Sequence, residues 1–357
     1  MQDKIKAIAV FVKNLTSGGA EKQSVLLAKA LAGDYDVHYI IFNGWNVHKK
    51  YMDMLGYDGR IHVCRLSGGR IGRFRAFVAY LKQNEIKAVF SYLTAANVYA
   101  CMAGRMAGAE VYTGLRNAEL PSLKLMADRL MANYFAKRAI ANCYSGRNNF
   151  VSKGFKSRKV SVIPNCFENI SPYSVKVSNS FLRIITVGRF VPQKDYETAI
   201  RAIAELKKAS TTGFSFVIVG YGKLESQVRR WVKEYCVDDC TQIFINPDNI
   251  MELLCGADIY LSTSIFEGTS NSIMEAMNAN LPIVATNVGD NEYLVLENKN
   301  GYLHNVGDFI GISKTLLKLI GNEKLRQSLG RESKNLLSEN FSMDLLRQRY
   351  IQLLKGK

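Results

Sequence analysis

Short apolar runs alternate with amphipathic segments along almost the whole chain. In the first half the strand-like runs fall at 5–13, 36–42, 61–66, 87–92, 110–114, 139–143 and 160–163. Segments with helical spacing of apolar positions lie between most of them, at 20–32, 71–84, 94–107, 122–137 and 145–152. Continuous apolar strands separated by helices predict βαβ units and a parallel sheet buried on both faces. The alternation breaks at 163–180, IPNCFENISPYSVKVSNS, whose Pro, Asn and Ser content reads as a linker. It then resumes with strands at 182–187, 214–219, 241–245, 257–262, 282–285 and 301–304. Helices are expected at 195–209, 222–235, 249–255 and 271–279, then at 307–320, 323–338 and 342–354. The expectation is two doubly wound α/β domains, residues 1–168 and 169–341. Ligands of such sheets bind beyond the carboxyl ends of the strands, so a cleft between the domains is the expected site.

Composition changes this picture little: 48% hydrophobic and 22% charged residues over 357 positions suit an ordinary globular chain. Disorder, collagen and coiled coil are poor readings. The N-terminal MQDKIKAIAVFVKNL carries Lys13 and no small-residue cleavage site, so a signal peptide is not expected. Ala88 to Gly104 is uncharged over 17 residues but reads as a buried strand and the helix after it, not a membrane span. The seven cysteines are scattered, and Cys236 and Cys240 have no second ligand pair. Reduced thiols in a cytoplasmic protein fit better than zinc.

Charge changes it more. The net charge is +16, and residues 1–170 hold 25 Lys and Arg against 11 Asp and Glu, a balance of +14. A basic half beside a nearly neutral half implies different partners. Anionic lipid, a diphosphate-bearing substrate and nucleic acid would each suit the basic half. Nucleic acid is the weakest, because neither zinc-finger spacing nor an aromatic RNA-binding strand is present. The sharpest cluster is GGRIGRFRAFVAYLK at 68–82, where Arg70, Arg73, Arg75 and Lys82 interleave with Ile71, Phe74, Phe77, Val78 and Leu81. That spacing fits a surface helix packed on a sheet or a helix lying on an anionic membrane.

Three segments at strand ends carry candidate chemistry. After strand 257–262 comes STSIFEGTSNSIMEAM, with Glu267 and Glu275 flanking Gly268, Thr269, Ser270 and a helix start at Asn271. Helix-start amides after a Gly turn bind phosphate. The two carboxylates suit hydroxyls, such as those of a ribose and a hexose, although an unspecialised helix-start Glu and a solvated Glu fit the spacing as well. The second segment is VGRFVPQK, where Gly188, Arg189 and Lys194 place two cations beyond a strand; they suit a diphosphate or form a plain basic loop. The third is NLTSGGAEKQ, where Gly18 and Gly19 allow close backbone approach to a ligand. It is neither a G-x-G-x-x-G fingerprint nor a P-loop. Asp34-Tyr35-Asp36 has the letters of a metal-binding D-x-D but falls away from the predicted strand ends.

Taken in this order, the segments resemble glycosyltransferase family 4, whose members have the GT-B fold. The likeness spans essentially the whole chain: G-G-A-E at Gly18 to Glu21, G-R-x(4)-K at Gly188, Arg189 and Lys194, and E-x7-E at Glu267 and Glu275. LPIVATNVGDNEYLV at 281–295 also looks like the family's segment after the second Glu. The resemblance implies two Rossmann-like domains, acceptor-binding then donor-binding, with the C-terminal helix 342–357 packing back on the first. It implies a retaining hexosyltransferase using a nucleotide sugar, by family habit a UDP-sugar, with no metal cofactor. Arg189 and Lys194 would hold the donor diphosphate, Glu275 the ribose and Glu267 the sugar hydroxyls, with backbone amides at Gly268–Ser270 completing the cradle.

The acceptor implied is a membrane-associated, lipid-linked glycan in capsule, O-antigen or lipopolysaccharide synthesis. The protein would then be cytoplasmic and peripheral on the inner face of the membrane, held through the basic first domain. Many relatives carry a His where TGLRNAEL places Arg116 and Asn117, so Arg116 would face the donor or an anionic acceptor, or make a structural ion pair. A sugar-nucleotide epimerase on the same fold, or a non-catalytic nucleotide-sugar or nucleic-acid binder, are the alternatives.

Overall fold

The computed structural model describes residues 6–16, 18–56, 59–116, 121–172 and 181–356. Residue 5 of the first expected strand, Ser17, Asn117 with the following residues to 120, residues 173–180 of the expected linker, and Lys357 lie outside the described residues. The chain divides into one unit of Met1–Glu168 with Phe341–Lys357, and a second of Asn169–Asn340.

In the first unit seven parallel strands lie in the order β3-β2-β1-β4-β5-β6-β7. They are β1 (Ala7–Val12), β2 (Asp36–Ile41), β3 (Ile61–Arg65), β4 (Ala88–Tyr92), β5 (Glu110–Leu115), β6 (Arg138–Ala141) and β7 (Val160–Val162). The two-residue period of β1 divides its side chains between two cores. Ile8, Val10 and Val12 face the layer of α1 (Gly19–Leu31), and Ala7, Ala9 and Phe11 face the layer of α3 (Arg70–Gln83) and α4 (Thr94–Ala107). Every residue of β1 is buried, as expected of a central strand covered on both faces.

Two differences from the sequence expectation matter in this unit. A short helix α2 (Lys49–Gly56) was not expected; it spans two turns and buries only Tyr51 and Leu55. The helix expected at 122–137 is α5 (Ser122–Leu130) running into a π-helical turn at Met131–Phe135, ended by extended backbone at Ala136. The basic helix α3 turns Phe77, Val78 and Leu81 into the core, and only Ile71 of its apolar set is strongly exposed. Its Arg73 is itself buried, stacked between the Phe42 and Trp45 rings with its guanidinium donating to Asn43 and the Phe42 carbonyl. The packed-helix reading of this segment is the one the structure bears out, because an apolar face already in the core has nothing left to insert. α6 (Tyr144–Ser152) completes the unit's N-terminal part.

The second unit has six parallel strands in the order β10-β9-β8-β11-β12-β13. They are β8 (Leu182–Val187), β9 (Phe214–Gly220), β10 (Thr241–Ile245), β11 (Ile259–Ser262), β12 (Ile283–Thr286) and β13 (Gly301–His304). Its helices are α7 (Tyr196–Ala209), α8 (Glu225–Glu234), α9 (Ile250–Cys255), α10 (Asn271–Asn278), the unexpected short α11 (Asn291–Leu294), α12 (Phe309–Ile320) and α13 (Glu323–Phe341). The last helix, α14 (Met343–Leu354), belongs to the first unit. It buries Leu346 and Tyr350 in the core beside α1, and Arg347 grips Asp34 through two nitrogens at 2.5 Å. No helix among the described residues is long and apolar enough to cross a membrane.

In each sheet the strand order reverses once, between β1 and β4 and between β8 and β11. Such reversals open a crevice at the carboxyl edge, where ligands of this architecture bind.

Candidate active site

In the second unit the crevice is built by the loops after β8 and β11. Gly188 leaves β8 with its N–H on the Val219 carbonyl at 3.0 Å and its own carbonyl accepting from the Tyr196 hydroxyl at 2.7 Å. A Cβ at this position would meet the Lys194 and Tyr196 side chains at 3.2 Å, so the glycine leaves room for the lysine to lie along the strand exit. Residues Pro192–Lys194 make one 3₁₀ turn, and Asp195 follows with a left-handed φ of 44°. Its carboxylate then caps α7 by accepting from the Thr198 N–H and hydroxyl at 3.3 and 2.6 Å.

That turn is tied to the β11 loop. The Thr263 hydroxyl donates to the Asp195 and Lys194 carbonyls at 2.8 and 3.1 Å. The Ile265 N–H donates to the Gln193 carbonyl, and the Gln193 side chain returns a bond to the Phe266 carbonyl. The loops thereby bring Lys194 and Glu267 together, Nζ to Oε1 at 2.5 Å, with the Ser264 hydroxyl also donating to Oε1 at 2.8 Å. The pair is mostly enclosed, with 17% of the Lys194 side chain and 9% of the Glu267 side chain exposed. Gly289, at φ +59°, backs the same loop: a Cβ there would stand 2.1 Å from the Glu267 carbonyl oxygen.

Beyond Glu267 the chain passes Gly268 and Thr269 to Ser270, whose hydroxyl caps α10 by accepting from the Ile273 N–H. Asn271 is exposed at the helix start, and Glu275 lies half-buried one turn further on. The buried Tyr260 phenol locates the two carboxylates. Burial first, and then the charges of Glu275 and Glu267, holds it well above its ordinary pKa. Arg189 is exposed and makes no ion pair among the described residues. One crevice therefore carries a free guanidinium, an ammonium held by a carboxylate, and the positive end of a capped helix.

In the first unit a cavity of about 290 Å³ opens at the β1/β4 reversal, lined by Lys13, Glu21, Leu93, Arg116, Lys124 and Asp128 among others. The Gly18-Gly19 turn adjoins it but is not an open anion cradle. Gly18 has an ordinary φ of −76°, and what excludes a Cβ there is the Glu21 carboxylate, whose oxygen would lie 2.2 Å away. Arg116 stacks on the Tyr92 ring at 4.7 Å and donates to Asn165 at 2.9 Å, and its charge acts on the Tyr350 phenol of α14. It is thus anchored by neutral groups, with Nε left unpartnered among the described residues.

Sequence reasoning missed Asp128. It lies on α5, 3% exposed, accepting from Thr94 at 2.6 Å and Asn97 at 2.8 Å, and burial raises its pKa against the pull of those bonds. A lone acid in an amphipathic segment gives no signal, because its partners lie more than 30 residues away. Asp34 and Asp36 do not act together: Asp34 binds Arg347, and Asp36 faces His38 and His62. Among the described residues no cluster of three or more His, Cys, Asp or Glu is placed to hold a metal ion.

Comparison with known proteins places these features. Residues 174–336 match the family described as "Glycosyl transferases group 1". The lipopolysaccharide core biosynthesis glycosyltransferase LpsE of Rhizobium meliloti is 24% identical over 49% of this chain and 50% of that protein. The chain thus spans about half the length of this relative, as it does of the amylovoran relative from Erwinia amylovora. A Campylobacter jejuni relative is 24% identical over 92% of this chain and 94% of its own length. It is an N-acetylgalactosamine-N,N'-diacetylbacillosaminyl-diphospho-undecaprenol 4-alpha-N-acetylgalactosaminyltransferase. Anabaena HepE, solved in complex with UDP, superposes with a TM-score of 0.81 at 18% identity, covering 99% of this chain and 100% of that one. The chain therefore has the two Rossmann-like units of the GT-B fold, and the segment that matches the glycosyl transferases group 1 model falls largely within its second unit.

Proposed function

We propose that this protein is a retaining glycosyltransferase that moves a sugar from a UDP-sugar to a membrane-borne, lipid-linked glycan in cell-surface polysaccharide synthesis. The observation that carries the reading is the convergence of Arg189, Lys194, Glu267 and the Ser270-capped start of α10 at one strand reversal. Two cations and the positive end of a helix suit a nucleoside diphosphate leaving group, and they neutralise the charge that develops on it as the glycosidic bond breaks. Lys194 is held by Glu267; with donor bound the ammonium would shift toward the diphosphate, freeing Glu267 for sugar hydroxyls. Glu275 would hold the ribose. The acceptor hydroxyl forms the new bond to the anomeric carbon, the bond to the β-phosphate oxygen breaks, and that oxygen takes the acceptor proton. No protein nucleophile is required.

Arg116, at the cavity of the first unit, would face the acceptor side. The UDP bound to HepE and the undecaprenol-linked substrate in the Campylobacter relative's name support the choice of donor and acceptor class. The basic balance of residues 1–170 suits an anionic membrane surface.

The test is a melting-temperature panel of nucleotide sugars with UDP and GDP as controls and EDTA present. It is followed by product analysis with and without a lipid-linked acceptor. Stabilisation by one UDP-sugar above UDP, with transfer only when acceptor is added, supports the reading. Isomerised donor without acceptor would make the protein an epimerase, and stabilisation by no nucleotide would remove the donor site.

A further inference from the structure

Among the described residues of the first unit, Trp45, Ile71, Leu93 and Tyr144 are exposed large apolar side chains on separate elements, while seven others fall on α5, the π turn and the neighbouring α4. On α5, Leu123, Met126 and Leu130 recur at i, i+3 and i+7 and form one outward stripe; Leu123 is 77% and Met126 56% exposed. Beside them stand Met102 and Met106 of α4 and Tyr134 and Phe135 of the π turn, with Tyr134 67% exposed. The three elements pack together, which gathers these residues in one region of the surface. Large exposed apolar residues on a protein surface are normally scattered; a contiguous group marks something that covers it.

Charge identifies the covering surface. Residues 101–159 hold eleven Lys and Arg against three Asp and Glu. Of those acids Asp128 is buried and Glu110 is paired with Lys137. The cations are interleaved with the apolar group: Arg105 lies over the Phe135 ring at 5.9 Å, Lys156 over the Tyr134 ring at 4.3 Å, and Lys124 and Arg129 flank the α5 stripe. Aromatic, Met and Leu side chains ringed by Lys and Arg suit the boundary between headgroups and acyl chains, where the apolar groups insert and the cations are attracted to an anionic leaflet. A second copy of the chain would bring the same cations against themselves.

We infer that the face formed by α5, the π turn and Met102 and Met106 of α4 docks this protein on an anionic lipid bilayer. The inference rests on the reading of a membrane-borne acceptor and deepens it. A different side of α5 carries Lys124 and Asp128 into the cavity lined by Arg116, so docking through α5 sets that cavity beside the headgroups. Helix α3, the more basic segment by sequence, has its apolar face in the core and takes no part.

Cosedimentation of the full chain tests this, with vesicles of phosphatidylcholine alone and of phosphatidylcholine with about 30% phosphatidylglycerol. The wild type is expected to pellet with the anionic vesicles and stay in solution with the neutral ones. The triple variant Leu123→Ser, Met126→Ser, Leu130→Ser is expected to lose about tenfold or more of that partitioning with an unchanged melting temperature. The pair Arg105→Glu and Lys156→Glu should weaken it and flatten its salt dependence, and Ile71→Ser on α3 should leave it unchanged. Transfer to a water-soluble acceptor analogue, measured alongside, separates the two ideas. Vesicle binding without transfer leaves the docking face standing and removes the enzymatic reading.

The docking face is overturned if folded wild type ignores anionic vesicles or if the serine variant pellets equally. It is also overturned if the serine substitutions convert a dimer to a monomer in sedimentation equilibrium without altering vesicle binding.

Discussion

Lys194 and Glu267 illustrate how two enclosed charges hold each other in place. Each is drawn from a different loop, and their mutual neutralisation is what lets both sit mostly enclosed. Lys194→Ala is expected to cost about 10²-fold or more in kcat/KM for donor, by analogy with the removal of one donor from a charge-stabilising site. Glu267→Gln should keep diphosphate affinity and lose turnover. Steady-state kinetics over a donor series distinguishes the two, and wild-type constants in either variant would refute the assignment. Gly289 works at the same scale through its backbone. Gly289→Ala adds about 1–3 kcal/mol of left-handed strain to a direct collision with Glu267, so both melting temperature and donor binding should fall. Gly307→Ala has the same positive φ (+80°) with open space around it. It should lower the melting temperature by a few degrees and leave activity alone.

Elements place these residues. The α10 start is fixed by its Ser270 cap, and Ser270→Ala is expected to cost about 1 kcal/mol in a urea titration. The last helix contributes to the first unit through Tyr350, which is 2% exposed and packs edge-on against Phe90. Tyr350→Ala should cost about 3–5 kcal/mol, as large aromatic truncations in cores do. Arg347→Ala removes only a solvent-screened ion pair and should leave the urea midpoint nearly unchanged. Equal losses in the two variants would show that α14 is held by charge and not by packing.

At the scale of the whole molecule, stability should depend on pH through Lys334. This α13 lysine is 4% exposed and donates to the Asn278 carbonyl, the Asn278 side chain and the Ser171 hydroxyl. It thereby joins the start of the second unit to α10. Burial lowers its pKa from 10.5 to about 8. Between those values the unfolded chain holds a proton that the folded chain has released, so this group makes stability rise as pH climbs from about 8 toward 10.5. Below pH 8 its full penalty is present. Lys334→Met should remove that rise from the difference between urea midpoints at pH 7 and pH 9.5, and an identical slope in the variant would refute it.

What the sequence by itself determined is whatever is written locally. The unbroken apolar runs of β1 and β9 suit central strands of a parallel sheet, and the order of Gly188, Arg189, Lys194, Glu267 and Glu275 already set these residues at strand exits. Helix α2 escaped because two turns burying only Tyr51 and Leu55 leave too short a period to detect. Tertiary structure alone decided matters that rest on long-range contact. Lys194 is paired with Glu267 across 73 positions, Asp128 is buried by Thr94 and Asn97, and Arg116 is committed to Tyr92 and Asn165. It also decided which basic amphipathic helix keeps an outward apolar face. The periodicities of α3 and α5 look alike in sequence, but a helix's period says only that one side is apolar. Whether that side meets a sheet or water depends on what the rest of the chain packs against it.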